Sequence, residues 1–198
     1  MKKIFITQRV QVVEEYKERR DCLDQKWIEL LNICGYLPIL IPNNKKNILL
    51  MLEELKPDGI VLTGGNDLIR YGGSAPERDE VEKLLIKYGE ENNIPILGVC
   101  RGMQMILDYY GVNLEKVDGH VAITHLISNH KSKKTVNSFH NYGAKEVNDK
   151  FEIIYKSADE VVEQIKHKHK EIYAIMWHPE REYNFKDDDI KYIKKIFR

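Results

Sequence analysis

A single cysteine stands between two glycines in Gly98-Val-Cys100-Arg-Gly102. The apolar run Ile94–Val99 ends there, and a helical pattern begins that runs from Met103 to Tyr110 and is closed by Gly111. Strand, sharp turn and helix place a thiol at the apex, and the flanking glycines permit a strained, closely packed backbone. The N-terminus of the following helix favours thiolate, the nucleophilic form. A thiol nucleophile needs a base to take its proton, and the base needs an acceptor to hold its tautomer. Trp177-His178-Pro179-Glu180 offers both. His178 and Glu180 are two apart at the end of the strand-like run Glu171–Met176, so both can turn to one side. Taken separately, the first motif also describes a buried Cys in an ordinary βα turn, and the second a chance H-P-E on a surface turn. Together they describe a cysteine nucleophile with a His–Glu pair, the equipment of acyl transfer.

The elements that must position these residues can be read from the hydrophobic pattern. Ile4–Thr7 reads as a first strand. The polar segment from Gln8 and Arg9 to Asp21 lies past its C-terminal end, the edge at which open parallel sheets bind ligands. Glu18-Arg19-Arg20-Asp21 also reads as the solvated start of a helix. Trp27, Leu30, Leu31 and Cys34 fall at helical spacing, and Gly35 ends that helix. Leu37–Ile41 is a strand bounded by prolines, Asn47–Leu55 a helix, and Asp58–Leu62 a strand that runs straight into Thr63-Gly64-Gly65. Leu68–Pro76 is a loop holding Arg70, and Arg78-Asp79 stands at the start of the helix Glu77–Asn92, to cap or orient it. Short apolar runs alternating with helices imply a parallel sheet with right-handed crossovers.

After Gly111 the pattern becomes β-rich. Val117–Ser128 and Thr135–His140 read as strands, Phe151–Tyr155, Val161–Lys166 and Glu171–Met176 as successive antiparallel strands, and Asp187–Phe197 as a closing helix whose acidic start and basic end suit its dipole. The expected fold is α/β, a single three-layer domain over residues 1–198. Its central sheet is mostly parallel, flanked by helices, with a small antiparallel C-terminal extension. His120, His125 and His130 have no supporting Cys and few nearby carboxylates, so they are read as scattered strand histidines and no metal site is expected.

Composition narrows the function classes. The chain has 198 residues, enough for one sizeable domain and awkward for two. With 31 basic and 31 acidic residues it lacks the basic excess of a general nucleic-acid binder. No apolar run approaches the ~20 residues of a membrane span, and Met1-Lys-Lys-Ile-Phe-Ile-Thr7 lacks a small-residue cleavage site, so no signal peptide is read. The three cysteines, Cys22, Cys34 and Cys100, cannot all pair and show no metal-ligand spacing, which fits reduced thiols in a cytoplasm.

Gly98-Val-Cys100-Arg-Gly102-Met-Gln104, the Thr63-Gly-Gly65 turn upstream and the Trp177-His-Pro-Glu180 end, in this order, resemble the class I glutamine amidotransferase family over nearly the whole chain. Val136-Asn-Ser-Phe-His140 and Glu18-Arg-Arg-Asp21 point to the branch that hydrolyses γ-glutamyl amides. The resemblance implies a Cys100–His178–Glu180 triad, a γ-glutamyl thioester intermediate and release of L-glutamate. It implies an oxyanion hole made by the backbone N–H of Arg101 and by the glycine turn, with Gly65 the first choice and Gly64 the second. It also implies that Gln104 helps hold the glutamyl group, and that Ser138, Phe139 and His140, with Asn137, contact its α-amino and α-carboxylate groups, largely through backbone. No metal or organic cofactor is required.

The leaving amine is open at this level. A nucleotide phosphoramidate would need cations at the cleft mouth, and Arg9, Arg19, Arg20 and Arg70 stand in loops at that sheet edge. An amine or polyamine conjugate would prefer carboxylates or aromatics. Three rivals remain: a glutaminase subunit handing ammonia to a separate synthase chain, a redox-sensing or binding module without turnover, and a cysteine peptidase of related fold, in which His often follows the Cys where this chain has Arg101. Whether the chain forms a homo-oligomer is not decided by these residues.

Overall fold

Ile4-Phe-Ile, Ile60-Val-Leu and the run from Ile96 to Val99 are continuously apolar, not alternating, because each lies in a strand covered on both faces. The computed structural model describes residues 1–198. Its strands and helices are β1 (Lys3–Ile6), β2 (Arg9–Val13), β3 (Glu18–Cys22), α1 (Lys26–Ile33), β4 (Leu37–Leu40), α2 (Lys45–Leu55), β5 (Gly59–Leu62), α3 (Pro76–Asn92), β6 (Ile96–Val99), α4 (Arg101–Tyr109), β7 (Glu115–Lys116), β8 (Val121–Ser128), β9 (Lys133–Phe139), β10 (Tyr142–Gly143), β11 (Phe151–Ser157), β12 (Val162–His167), β13 (Ile172–Ile175) and α5 (Asp187–Ile196). Nine strands form one sheet in the order β4-β1-β5-β6-β13-β12-β11-β8-β9. The first five run parallel to one another, and the last four continue the same sheet antiparallel. Pro38 is tolerated because β4 is an edge strand.

Two buried clusters lie on the two faces of this sheet. On one, Trp27, Leu30 and Leu31 of α1 pack with Ile193 and Ile196 of α5 against Ile4, Ile6, Val61 and Leu97. On the other, Ile48 and Leu52 of α2, Val81 and Leu85 of α3 and Ile106 of α4 pack against Phe5, Ile60 and Ile96. The result is the expected three-layer α/β architecture. Its antiparallel part is neither small nor a separate extension, since β8 and β9 form the far edge of the main sheet.

Residues 9–22 depart from the helix-start reading. They form a hairpin, β2 against β3, with Lys17 at positive φ in its turn. Arg9-Val-Gln-Val12 has the period-two alternation of a strand, with Val10 buried and Gln11 exposed. The hairpin docks on the glycine turn after β5: Val10 N–H donates to Asn66 Oδ1 (2.8 Å), and Asn66 Nδ2 donates back to Val10 O (2.8 Å).

Candidate active site

Cys100 joins β6 to α4 with φ 52° and ψ −106°. A non-glycine residue in such a conformation costs of order 1–3 kcal/mol, so the surroundings must hold it there. They do so from both sides: Cys100 N–H donates to Ile175 O of the neighbouring strand (2.8 Å), and Cys100 O accepts the first helical bond from Gln104 N–H (3.0 Å). A Cβ on Gly102 would sit 2.1 Å from Leu62 O, so only glycine lets α4 start directly over the end of β5.

His178 follows β13, and a 3₁₀ turn, Pro179–Arg181, brings Glu180 back beneath it. His178 Nδ1 and Glu180 Oε1 are 2.6 Å apart, both residues being buried. The Nδ1–H donates to the carboxylate, which sets the tautomer, and the buried Nε2 finds no hydrogen-bond partner in the protein. Burial pushes the imidazole pKa down, but the charges of Cys100 and Glu180 outweigh it and raise the value to about 9. The His178 backbone is clamped by Asn137, whose Oδ1 accepts from His178 N–H (2.8 Å) and whose Nδ2 donates to His178 O (2.9 Å).

The glycine turn is held from behind. The guanidinium of Arg78, fully buried at the start of α3, donates to the carbonyls of Thr63 (2.7 Å), Gly64 (3.2 Å) and Gly65. In a trans peptide the N–H points opposite to the C=O, so tying these carbonyls back turns the N–H groups of Gly64, Gly65 and Asn66 the other way. Gly65 has φ +84°, and a Cβ on Gly64 would lie 2.5 Å from His178 Cε1. The turn thus lies against the imidazole, and both glycines are required by geometry. The Arg101 side chain does not reach the cleft; it is buried, paired with Asp79 and Glu82, and Glu82 also accepts from Arg78 Nε (3.0 Å). Burial and the neighbouring Arg101 bring the Arg78 pKa down to about 10, while Glu82, which burial alone would raise, is held low by the two guanidiniums. What Arg101 has to offer substrate is its backbone N–H at the first position of α4.

One cavity beside the thiol is lined by Gly65, Cys100, Gln104, Phe139, His140 and His178, among others. Gln104 Nε2 donates to Tyr142 O (2.9 Å), which leaves its oxygen for a ligand. Phe139 stands edge-on to His178 at 5.7 Å. Three side chains of this stretch find their partners within the protein. Asn137 positions His178, as described. Ser138 is fully buried and donates its hydroxyl to His120 O (2.7 Å). The His140 ring turns into the protein, with Nδ1 on Tyr142 O and Nε2 towards Glu163, so its backbone is what lines the cavity. Nor do the histidines scatter: His120, His125 and His140 converge on Glu163 of β12, and only His130 lies apart in a turn.

The predicted cations divide. Arg9 lines a second cavity, with Thr63, Gly64, Gly65, His178 and Glu180. Arg19 instead ties the hairpin to the start of α3, donating to Glu77 (2.7 Å from Nε) and Ser74 O (2.8 Å). Arg20 pairs with Glu18 two residues away on its own strand. Arg70 pairs with Asp108 (3.0 Å) and Asn113 (2.8 Å). Asp108 is eight residues along α4 from the thiol, about 12 Å at 1.5 Å per residue. The cation that joins Arg9 is Arg181, which lines both cavities and stacks over the Phe139 ring at 4.3 Å. Arg181 is not among the cations expected from sequence at the cleft mouth, and Arg78, read only as capping or orienting its helix, proves to be the brace of the turn. The i,i+4 pair Arg78–Glu82 was the available signal, but such pairs are usually solvated.

Residues 22–197 match the family described as glutamine amidotransferase class-I. The chain is 32% identical over 199 residues to a γ-glutamyl-CDP-amidate hydrolase of Campylobacter jejuni, an alignment covering 98% of this chain and 96% of that one. It is 31% identical over 159 residues to a glutamine-hydrolysing GMP synthase subunit of Pyrococcus furiosus, covering 76% and 79%. Among solved structures, a Thermoplasma acidophilum protein assigned as a GMP synthase subunit superposes with TM-score 0.75 at 25% identity, over 100% of this chain and 94% of that one. A Thermotoga maritima glutamine amidotransferase shares the fold, with TM-score 0.66 at 16% identity, over 90% and 76%. With the elbow, the His–Glu pair and the braced glycine turn in the arrangement described, this chain belongs to the class I glutamine amidotransferase family.

Proposed function

We propose that the protein hydrolyses a γ-glutamyl C–N amide bond by covalent catalysis at Cys100. His178 takes the proton of the Cys100 thiol, the sulfur attacks the side-chain carbonyl of the glutamyl group, and the imidazolium returns the proton to the leaving nitrogen. Glu180 holds the tautomer of His178 and stabilises the imidazolium. The N–H groups of Arg101 and of the turn, Gly65 first and Gly64 second, receive the oxyanion; one such donor is typically worth about 2.7–4 kcal/mol of transition-state stabilisation. Water then cleaves the γ-glutamyl thioester and releases L-glutamate. The observation that carries this reading is the 2.6 Å His178–Glu180 bond on the cavity that Cys100 shares.

The substrate proposed is γ-glutamyl-CDP-amidate, and with it a place in capsule phosphoramidate biosynthesis. It is supported by the near full-length relation to the Campylobacter jejuni hydrolase and by Arg9 and Arg181 at the cleft, two forks suited to phosphate oxygens. The relation to glutamine-hydrolysing GMP synthase subunits favours a second reading, a glutaminase that hands ammonia to a separate synthase chain. Glutamate release measured across a γ-glutamyl panel separates the two. The first reading expects turnover of the nucleotide phosphoramidate by the isolated protein. The second expects free glutamine to be the substrate, cleaved fast only when a partner chain is added.

A further inference from the structure

Beneath the cleft, on the antiparallel side of the sheet, three imidazoles aim at one buried carboxylate. His120 Nδ1, His125 Nε2 and His140 Nε2 each lie 3.5 Å from Glu163 Oε1. None of the four atoms makes a hydrogen bond within the protein, although Glu163, His120 and His140 are almost wholly buried. Four orphaned polar atoms at one point are rare, because each costs its desolvation without return.

The outer nitrogens say which atoms face inward. His120 Nε2 is 3.1 Å from Asp159 Oδ2, and His140 Nδ1 is 3.0 Å from Tyr142 O. Both partners are acceptors only, so each ring carries its proton outward. The inward nitrogens of His120 and His140 then face a carboxylate with no hydrogen bond between them, an arrangement that a cation held by nitrogen lone pairs would satisfy. A carboxylate and a backbone carbonyl holding the far side of ligating imidazoles is the recurrent support of protein metal sites.

The nitrogen-to-carboxylate spacings agree. In a tetrahedral site with bonds of about 2.0–2.1 Å, ligand atoms stand about 3.3 Å apart, close to the 3.5 Å from each imidazole nitrogen to Glu163 Oε1. The candidate ligand atoms of His120, His125 and Glu163 lie within 4.8 Å of one another; His140 Nε2, 3.5 Å from Glu163 Oε1, stands outside that group and completes the set only by a shift of its ring.

We propose that His120, His125, His140 and Glu163 form a closed, four-coordinate site for a divalent transition ion of the zinc class. Four protein ligands leave no open position, so the ion is structural. It ties the segment before β8, strand β8, the end of β9 and strand β12 into one unit. His140 directly follows Phe139, which stands against His178, so the ion also fixes the wall of the glutamyl cavity.

The test is metal content and cobalt spectroscopy on the full chain, produced without a histidine tag. The wild-type protein should hold one zinc-class ion per chain. After removal of that ion, Co2+ should restore one equivalent, with the strong visible bands of a four-coordinate ion and no near-ultraviolet thiolate band, which separates this site from Cys100. His125→Ala, whose ring is the least buried of the four ligands, should lose at least a hundredfold in Zn2+ affinity measured against a competing chelator. Glu163→Gln should lose as much, and His130→Ala should match wild type. A wild-type protein without stoichiometric metal, whose Zn2+ or Co2+ binding is weak and unchanged by His125→Ala, would overturn the site and leave the cluster as imidazoles sharing protons with a carboxylate.

Discussion

At the scale of single residues the account rests on Cys100, His178 and Glu180 acting as one unit. Cys100→Ala should abolish glutamate release in a folded protein, His178→Asn should be nearly as damaging, and Glu180→Gln less so. Because groups that act together are not additive, Cys100→Ala/His178→Asn should be little worse than either single change in steady-state assays. If the two losses multiplied, proton transfer between them would be excluded. The raised pKa of His178, about 9 against an ordinary 6.5, gives a second expectation. A folded value above the unfolded one contributes stability that is full below about pH 6.5 and is lost as pH rises through about 9. Part of the rise comes from Cys100, so NMR titration of the His178 ring in Cys100→Ala should give a lower pKa than in wild type. An unchanged value would mean that the thiol and imidazole do not interact. At the mouth of the cleft, Arg9→Ala or Arg181→Ala should lower kcat/KM about tenfold to a hundredfold for a phosphate-bearing γ-glutamyl substrate, since a charge-assisted hydrogen bond is worth roughly 1.5–3 kcal/mol. A small neutral γ-glutamyl amide should be little affected, and Arg20→Ala and Arg70→Ala should leave both substrates unchanged, because those side chains pair elsewhere. Equal effects of Arg9→Ala and Arg181→Ala on the two substrates would remove the case for an anionic leaving group.

At the scale of elements, the site is made where three strand ends and one helix start meet: β5 with its glycine turn, β6 with the elbow, β13 with His178, and α3 with Arg78. Arg78 connects these by tying the Thr63, Gly64 and Gly65 carbonyls to the buried pairs of Arg101 with Asp79 and Glu82. Removing one partner of a buried ion cluster typically costs 3–5 kcal/mol, so Arg78→Ala should lower unfolding stability by about that amount in denaturant titration. Arg78→Lys keeps the charge, but one ammonium cannot span three carbonyls, so it should reduce kcat much more than it changes KM. A lysine variant with wild-type kcat would show that the turn holds its shape unaided. The strands and helices were readable from sequence because burial on both faces leaves continuous apolar runs, and glycines mark the turns that follow them. The hairpin at residues 9–22 was not, because its charged second strand, Glu18-Arg-Arg-Asp21, has no apolar alternation. The brace escaped for a related reason: an Arg at a helix start looks solvated until the fold buries it, and only then does Arg101 join Asp79 and Glu82 beside it. The histidine cluster takes its carboxylate from more than twenty residues beyond its last histidine, on a strand whose pattern gave no hint that Glu163 points inward.

At the scale of the whole molecule, the sheet divides the labour. Its parallel half carries Cys100, His178 and the glycine turn, the proposed nucleophile, base and oxyanion turn, at the carboxyl ends of neighbouring strands, where open α/β sheets place their ligands. Its antiparallel half supplies the wall that faces them, through Asn137, Phe139 and the His140 backbone. Equal numbers of acidic and basic residues leave no net field to steer an anionic substrate, so any dependence on salt arises from the local pair Arg9 and Arg181. Family membership narrows the chemistry to the glutamyl side of the scissile bond, and the covalent route through one thiol is the claim on which the rest depends. It is tested most directly by mass spectrometry of peptides from a reaction quenched during turnover of a γ-glutamyl amide. A glutamyl increment on the Cys100 peptide, absent from those of Cys22 and Cys34 and absent in His178→Asn, is the predicted result; steady turnover with no adduct on Cys100, or undiminished glutamate release by folded Cys100→Ala, would contradict it.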